Sequence, residues 1–190
     1  ALAVHGIERL YRLPAEAIDL VRQGRNAVIV TPTASGKTQS FNLPVLETLL
    51  AEPARRALYL YPTNALVNDQ ERNLKTLVEP LDPRPRVAVL TGATGLDTRR
   101  ALRSDPPQVL LTNPELLHMS LLGQHRAWAR FWHGLRFVVI DEMHLYRGVF
   151  GSHMAMVLRR LQRVTALYGA NPQFVGCSAT VGNPAALAES

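Results

Sequence analysis

The sequence predicts an α/β domain in which helices cover both faces of a parallel sheet. Six short apolar runs alternate with longer segments of helical pattern, and we interpret them as strands at residues 27–31, 57–61, 87–91, 109–112, 137–140 and 174–177. The runs lack the polar alternation of a strand with one solvated face. The segments between them are long enough for the crossover helices that parallel strands need. We therefore expect a sheet buried between two helical layers.

The first predicted helix precedes the first strand. Pro14 suits a first helical turn and Gly24 suits a C-terminal stop. Between them, Ala17, Ile18 and Val21 form an apolar stripe. A second helix is expected at residues 39–50, directly after the first strand.

The clearest helical pattern begins near Ser152 and ends before Gly169. Its apolar residues recur at three- and four-residue spacing, at Met154, Val157, Leu158, Leu161, Val164 and Tyr168. Arg159, Arg160 and Arg163 lie off this stripe. We expect these three arginines to form a solvated face, with a nucleic-acid contact as the alternative.

Size and composition indicate one folded domain that spans residues 1–190. Hydrophobic residues make up 47% of the chain against 19% charged residues, a composition that can bury a core and is not typical of disorder. No apolar run reaches the roughly 18 residues of a membrane span, and the first residues do not resemble a signal peptide. We expect a cytoplasmic protein without a membrane partner, associated with the nucleoid if it is bacterial. Cys177 and the pair Trp128 and Trp132 are expected to pack in the core.

The charge balance favours polyanionic partners. The chain has 21 basic and 15 acidic residues, which give a net charge of +6. Arginine supplies 19 of the 21 basic residues, so that Lys37 and Lys75 are the two lysines. A lysine in such a chain indicates a position where geometry requires it.

Residues 31–38, with the sequence Thr-Pro-Thr-Ala-Ser-Gly-Lys-Thr, lie between the first strand and the second helix, the context of a phosphate-binding loop. Gly36 lets the backbone approach a polyphosphate, and the helix N-terminus adds positive potential. Lys37 would reach the β- and γ-phosphates, and the Thr38 hydroxyl would bind Mg²⁺. Thr31 replaces the first glycine of the strict motif. The other candidate nucleotide contacts are Thr33, Ala34 and Ser35.

Two carboxylates follow the fifth predicted strand. Asp141 and Glu142 come at its C-terminal end, the edge where parallel α/β sheets bind ligands. Asp141 suits a magnesium ligand and Glu142 suits the activation of water. Together with Lys37, the pair predicts hydrolysis of a nucleoside triphosphate with Mg²⁺ as a cofactor.

Five segments occur in the order of helicase motifs I, Ia, Ib, II and III: TPTASGKT, YPTNALVNDQ, TNPELLH, IDEMH and SAT. The chain thus resembles the first RecA-like domain of superfamily 2 helicases. TPTASGKT and DEMHLYRGVFGSHMAMVLRRL are most similar to the MrfA-type DNA-repair helicases and their fungal relatives of the RecQ-four-like group. The resemblance implies a three-layer RecA-like P-loop NTPase domain with a mostly parallel central sheet.

The resemblance also implies residue roles. His144 and the segment Ser178, Ala179 and Thr180 would couple nucleotide state to the grip on DNA. The surface that binds single-stranded or forked DNA would comprise Pro62, Thr63, Asn64, Thr91, Gly92, Thr112, Asn113, Pro114 and Arg147. Helix capping is the simpler role for Thr63, Asn64, Thr112 and Asn113, and it is compatible with phosphate contact. An exposed loop residue is the simpler interpretation of Arg147.

One motif departs from the family. A His-Gln pair usually precedes the Ala-Glu-Ala-Ile stretch, with the glutamine reading adenine, but this chain has Leu13 and Pro14 there. We therefore expect looser discrimination between ATP and other triphosphates. Tyr11 could stack on the base, although core packing is the commoner role of such a tyrosine.

The resemblance implies the ATP-binding half of a DNA helicase or translocase that acts in DNA repair. The second RecA-like domain of the full-length chain, which would supply an arginine finger, would then be a partner, and residues 1–190 alone should unwind little. The alternatives are a noncatalytic nucleic-acid-binding module, an RNA-directed superfamily 2 helicase and a small-molecule P-loop kinase.

Overall fold

Six parallel strands form one sheet in the order β1-β6-β5-β2-β4-β3 in the computed structural model, which describes residues 12–30 and 37–179, with side chains from residue 15. The strands are β1 (Ala27–Val30), β2 (Arg56–Leu60), β3 (Val87–Val89), β4 (Val109–Thr112), β5 (Leu135–Ile140) and β6 (Gln173–Ser178). All six predicted strands and the predicted fold class are confirmed.

Helices lie between successive strands along the chain. They are α1 (Arg12–Arg22), α2 (Lys37–Ala51), α3 (Asn64–Val78), α4 (Leu96–Ser104), α5 (Pro114–Leu116), α6 (Ala129–Gly134) and α7 (Gly148–Leu167). A π-helical segment, Leu117–Leu122, continues α5, and 3-10 turns form at His125–Trp128 and Met143–Leu145. None of the described helices joins the length and the apolar content that crossing a bilayer demands.

Successive residues of the central strands pack into two different cores. Tyr59 of β2 and Val139 of β5 pack with α2 and α3 on one face. Leu58 and Val138, their chain neighbours, pack with α6, α7 and the π-helical segment on the other. Because both faces are covered, both sets of side chains are apolar, which explains the missing polar alternation in the sequence.

The first helix and the long helix agree with the sequence, with one correction. Gly24 ends α1 with a φ of +77°, and Met154, Val157 and Leu161 of α7 are buried. Helix α7 begins at Gly148, four residues before the predicted start.

Arg160 does not belong to the expected solvated face. It is half-buried, and its guanidinium donates to the carbonyl oxygens of His118 at 3.3 Å and Leu122 at 3.1 Å. The π-helical segment packs against α7 at this point, so the guanidinium reaches two of its backbone carbonyls. The sequence pattern of one helix cannot show such a neighbour.

The predicted core packing of both tryptophans and the cysteine is confirmed. Trp128, Trp132 and Cys177 are each 0% exposed. Phe131 packs edge-on between the two tryptophan rings, at centroid distances of 6.3 and 5.4 Å. The indoles are therefore not available to stack on bases.

Candidate functional site

The candidate site lies along the carboxyl edge of the sheet. Because all strands are parallel, the described residues that follow β2, β4, β5 and β6 lie at this one edge. Strand β6 separates β1 from β5, so Lys37 must reach across the end of β6 to meet Asp141. The parallel order thus brings together segments that are more than a hundred residues apart in the chain.

Lys37 lies between the two carboxylates that follow β5. Its Nζ is 3.5 Å from Asp141 Oδ1 and 3.5 Å from Glu142 Oε1. Side-chain exposure is 11% for Lys37, 5% for Asp141 and 27% for Glu142. These three groups lie together, as the sequence predicted. The Lys37 ammonium offsets the negative charge of the two carboxylates at a position that is largely shielded from solvent.

Burial and the neighbouring cation act in opposite directions on Asp141. Desolvation is the larger effect and raises the pKa of its carboxyl above the ordinary value. Lys37 and the backbone N–H of Glu142, which donates to Asp141 Oδ1 at 2.8 Å, lower the pKa and keep the rise in check. A further cation close to Asp141 would therefore stabilise the charged form of this carboxyl.

Glu142 turns the chain sharply after β5. Its φ of 53° lies in the left-handed region, and Met143–Leu145 follows as a 3-10 turn. A non-glycine residue there is strained by roughly 1–3 kcal/mol, which the surrounding structure must offset. The turn aims the Glu142 carboxylate back toward Lys37 and also places it beside His144.

His144 joins the end of β5 to the end of β6. Its Nδ1 lies 3.3 Å from the backbone N–H donor of Ala179 and 3.3 Å from Glu142 Oε2. An unprotonated Nδ1 accepts from Ala179, whereas a protonated Nδ1 donates to Glu142, so the atom serves one partner at a time. Ser178, the residue before Ala179, is fully buried, and its hydroxyl donates to the Ala179 carbonyl at 2.9 Å.

Two further groups belong to this site and were missed in the sequence. Tyr146 has a buried hydroxyl without a hydrogen-bond partner in the described chain, and burial, followed by the charges of Asp141 and Glu142, raises its pKa. Met143 packs with its sulfur against Gly176 of β6. No local sequence pattern marks either residue, because the positions of both side chains depend on how the turn after β5 folds back.

Two of the residues predicted to bind the DNA strand cap helices at the same edge of the sheet. Thr63 Oγ1 accepts from Leu66 N–H at 3.3 Å, and Asn113 Oδ1 accepts from Leu116 N–H at 2.8 Å. Asn113 also donates from Nδ2 to Asn64 Oδ1 at 2.8 Å, which ties β4 to the start of α3. The capping role predicted for Thr63 and Asn113 is confirmed, whereas Asn64 instead accepts this cross-link.

Other members of that surface are placed differently. Thr112 is 0% exposed and its hydroxyl donates to Leu90 O at 2.7 Å, so its side chain is part of the core, with no capping role. Pro114 is also buried at the start of α5, and Pro62 is half-buried. The side chains of Thr112 and Pro114 are therefore buried rather than exposed at the expected surface, and for Thr112 the reason is that β4 lies inside the sheet between β2 and β3.

The loop after β3 and the start of α7 complete the edge. Thr91 is buried, and Gly92 next to it is exposed. Arg147 is exposed and precedes α7 directly as its N-cap residue, without a side-chain cap bond. Gly92 therefore exposes backbone to solvent, and Arg147 exposes its guanidinium.

Several predicted site residues lie outside the described part of the chain. They are Tyr11, Thr31, Thr33, Ala34, Ser35, Gly36 and Thr180, together with the side chains of Leu13 and Pro14. Thr38, half-buried in the first turn of α2, is described and follows Lys37 directly. A cavity of about 610 Å³ lies elsewhere, at the amino edge of the sheet beside Gly24 and Gln173, and shares no residue with this site.

The family model of the DEAD/DEAH box helicases matches residues 11–187. Among curated proteins, the ATP-dependent helicase YprA of Bacillus subtilis is 42% identical over 189 residues, which is 100% of this chain and 25% of YprA. The ATP-dependent helicase HRQ1 of Saccharomyces cerevisiae is 38% identical over 181 residues, covering 93% of this chain and 17% of HRQ1. The chain thus spans about a quarter or less of the length of these relatives.

Solved structures agree with this assignment. The DUF1998 helicase MrfA bound to DNA and AMPPNP superimposes with a TM-score of 0.92 at 42% identity, over 99% of this chain and 26% of that one. The Mycobacterium smegmatis helicase Lhr, bound to single-stranded DNA and AMP-PNP, has a TM-score of 0.84 at 30% identity, over 98% of this chain and 25% of Lhr. The match of almost the whole chain to one family model, with the motif order and the site geometry, shows that this chain belongs to the DEAD/DEAH box helicase family.

Proposed function

We propose that this chain is the ATP-binding half of a DNA helicase or translocase that acts in DNA repair. The motor couples hydrolysis of Mg-ATP to movement along single-stranded DNA. The structures of MrfA and Lhr were solved with DNA and an ATP analogue, which supports both ligand classes. The single observation that carries the proposal is the position of Lys37 Nζ, 3.5 Å from both Asp141 and Glu142.

The residues present fit a magnesium ion. Within the described ranges, no three carboxylate, imidazole or thiol side chains cluster as a complete metal-ligand set. Mg²⁺ in nucleotide sites typically takes one or two protein ligands, and phosphates and water supply the rest. Asp141 and the Thr38 hydroxyl are hard oxygen donors at the same edge, so they would hold it. A bound Mg²⁺ would neutralise charge that develops on the phosphates.

The protein groups divide the work by their environment. Lys37 supplies a fixed positive charge for the phosphates from the start of α2, where the helix N-terminus adds to it. Glu142 is more exposed than Asp141, so its carboxylate can accept a proton from an attacking water while Asp141 stays charged toward the metal.

The DNA surface belongs to the same edge of the sheet. Thr63 and Asn113 cap helices there, and Arg147 is exposed beside the acidic turn. Backbone N–H groups at helix N-termini bind phosphates without reading bases, which suits a motor that moves along any sequence. Residues 1–190 act as a single domain in this proposal, and a second RecA-like domain of the full-length chain supplies an arginine finger.

The test is Glu142→Gln in the full-length protein. We expect steady-state ATP hydrolysis stimulated by single-stranded DNA to fall at least about a hundredfold, since a general base contributes roughly 10²–10⁴. Binding of ATP and of DNA should persist. The matched control is Glu52→Gln, because Glu52 is exposed and pairs only with Arg55 among the described residues. An unchanged rate in Glu142→Gln would contradict the proposal, and a wild-type protein that binds DNA without hydrolysing ATP would point to the noncatalytic module.

The choice of stimulating polymer distinguishes a DNA helicase from an RNA-directed helicase and from a small-molecule kinase. Stimulation by single-stranded DNA but not by RNA supports the proposal, and forked DNA in the same assay tests the substrate geometry. Equal or better stimulation by RNA points to an RNA-directed helicase. ATP hydrolysis that neither DNA nor RNA stimulates points to a small-molecule kinase.

A further inference from the structure

One arginine holds the loop that joins β3 to α4. Arg99, on α4, donates from Nε to Thr94 O at 2.8 Å and from Nη2 to Thr91 O at 2.8 Å and Gly92 O at 3.4 Å. The guanidinium is half-buried, and within the described chain no carboxylate forms an ion pair with it. The same loop closes on itself, because the Thr94 hydroxyl accepts from Thr91 N–H at 2.9 Å.

These three carbonyl contacts, together with the Thr94 N–H that donates to Thr91 O at 3.1 Å, fix where the neighbouring N–H groups point. In a trans peptide unit the C=O and N–H bonds face opposite ways. Because the carbonyls of Thr91, Gly92 and Thr94 face Arg99, the N–H groups of the next residues, Gly92, Ala93 and Gly95, face away from it. None of these N–H groups donates a hydrogen bond to another described residue.

The space outside these N–H groups is open. Gly92, Ala93 and Gly95 are exposed, and a β-carbon at either glycine would meet nothing within 4 Å. The loop also lies next to the candidate DNA surface, since Thr112 donates to Leu90 O and Asn113 follows Thr112 directly. A phosphate of a bound strand could therefore approach the loop without a side chain in its path.

We infer that Arg99 is a positioning residue for nucleic-acid binding: by drawing three loop carbonyls inward, it turns the N–H groups of Gly92, Ala93 and Gly95 toward the phosphates of the bound strand. This inference rests on the proposed function, because it assumes that single-stranded DNA lies along this edge. Arg99 itself does not touch the DNA, and its planar fork matters more than its charge.

The experiment compares adjacent arginines of one helix. Arg99→Gln should raise the Kd for a fluorescein-labelled oligothymidine about tenfold, the range expected when hydrogen bonds to charged phosphates are lost. Arg100→Gln removes the same charge from a residue whose described ion pair is with Asp97, 75% and 97% exposed, and should change the Kd less than about twofold. Affinity for a fluorescent ATP analogue should stay unchanged in both variants, because β3 lies at the sheet edge away from β1.

Two more variants separate positioning from charge and from misfolding. Arg99→Lys keeps the charge but not the fork, so we expect most of the affinity loss to remain. Thr94→Val keeps the charge and the side-chain volume but removes the Thr94 to Thr91 bond, and it should weaken DNA binding as well. This neutral variant tests the loop even if Arg99→Gln lowers the melting temperature.

The outcomes are distinct. Full rescue by Arg99→Lys, equal effects of Arg99→Gln and Arg100→Gln, or wild-type DNA affinity in Thr94→Val each overturn the positioning role while the proposed function stands. If the wild-type chain does not bind the oligothymidine at all, the proposed function fails, and the inference fails with it.

Discussion

The sulfur of Met143 fills the space next to Gly176, where a β-carbon would overlap it. Met143 lies between Glu142 and His144 in the turn after β5, and Gly176 lies in β6, paired with Ile140 at the end of β5. A glycine in β6 therefore sets how closely the acidic turn can approach the sheet.

Gly176→Ala should destabilise the protein and disturb the acidic turn. Overfilling a packed site costs about 1–3 kcal/mol, and the flexible Met143 would move aside and take its neighbours with it. Urea denaturation and DNA-stimulated ATPase assays should both show the loss. The double variant Gly176→Ala with Met143→Ala provides the space and should recover at least about half of the lost stability. If the single variant has wild-type stability and rate, the contact does not constrain the turn.

Asp141→Asn should leave the fold at least as stable at pH 7 while it abolishes ATP hydrolysis. Burial raises the pKa of Asp141 in the folded state, so folding disfavours the charged form, and asparagine mimics the neutral one. The stability that the protonated carboxyl provides is lost as pH rises through the folded pKa. The advantage of the Asn variant should therefore shrink as pH falls through that value. Thermal melting between pH 4 and pH 8 measures it; a variant that melts well below wild type at pH 7 would show that the Lys37 pair outweighs desolvation.

His144→Ala should weaken the response of ATP hydrolysis to DNA. The substitution removes the acceptor for Ala179 N–H, a hydrogen bond that links the acidic turn to the residue after β6. We expect DNA stimulation of kcat to fall about tenfold, corresponding to roughly 1.4 kcal/mol, with hydrolysis in the absence of DNA nearly unchanged. His144→Asn keeps an acceptor at a similar distance from the backbone and should retain part of the stimulation. Wild-type stimulation in His144→Ala would exclude this contact from the coupling.

Asn113→Asp should weaken DNA binding and also cost about 1 kcal/mol of stability, because the carboxylate cannot donate to Asn64 Oδ1 as the Asn113 amide does. The carboxylate keeps the acceptor that caps Leu116 N–H, so the further loss of about 1 kcal/mol that Asn113→Ala would add by removing the cap should be avoided. Its negative charge would repel phosphates at the edge, and the weakening should fade as salt is added. Asn73→Asp, an exposed position far along α3, is the control with the same charge change. Equal DNA affinity of the two variants would place the strand away from Asn113.

The strands and the core were predictable because their signals are local. A strand covered on both faces must be apolar at successive residues, as in Leu58 and Tyr59, and the sequence shows this directly. The motif residues Lys37 and Asp141 were predictable for a related reason, because each follows a strand and parallel strands share one carboxyl edge. Parallel strands place both residues at that edge, and the strand order β1-β6-β5 then brings them close together.

The misplaced residues depend on neighbours from distant parts of the chain. Thr112 has the sequence context of an exposed strand end, yet β4 lies between β2 and β3, so its hydroxyl is buried against Leu90. Arg160 has the context of a solvated helix face, yet the π-helical segment packs there and takes up its guanidinium. The few residues around these positions determine neither the strand order nor the packing of helices.

The amino-acid sequence by itself determined the layered fold, the six strands and the chemistry of the acidic and phosphate-binding motifs, because each depends on the type and spacing of nearby residues. Only the tertiary structure decided that Met143 packs on Gly176, that His144 meets Ala179 and that Arg99 gathers the carbonyls of the loop after β3. The physical reason is range: polarity and periodicity act over a few residues, whereas these contacts exist only once parallel strands have set the separation of chain segments to within ångströms.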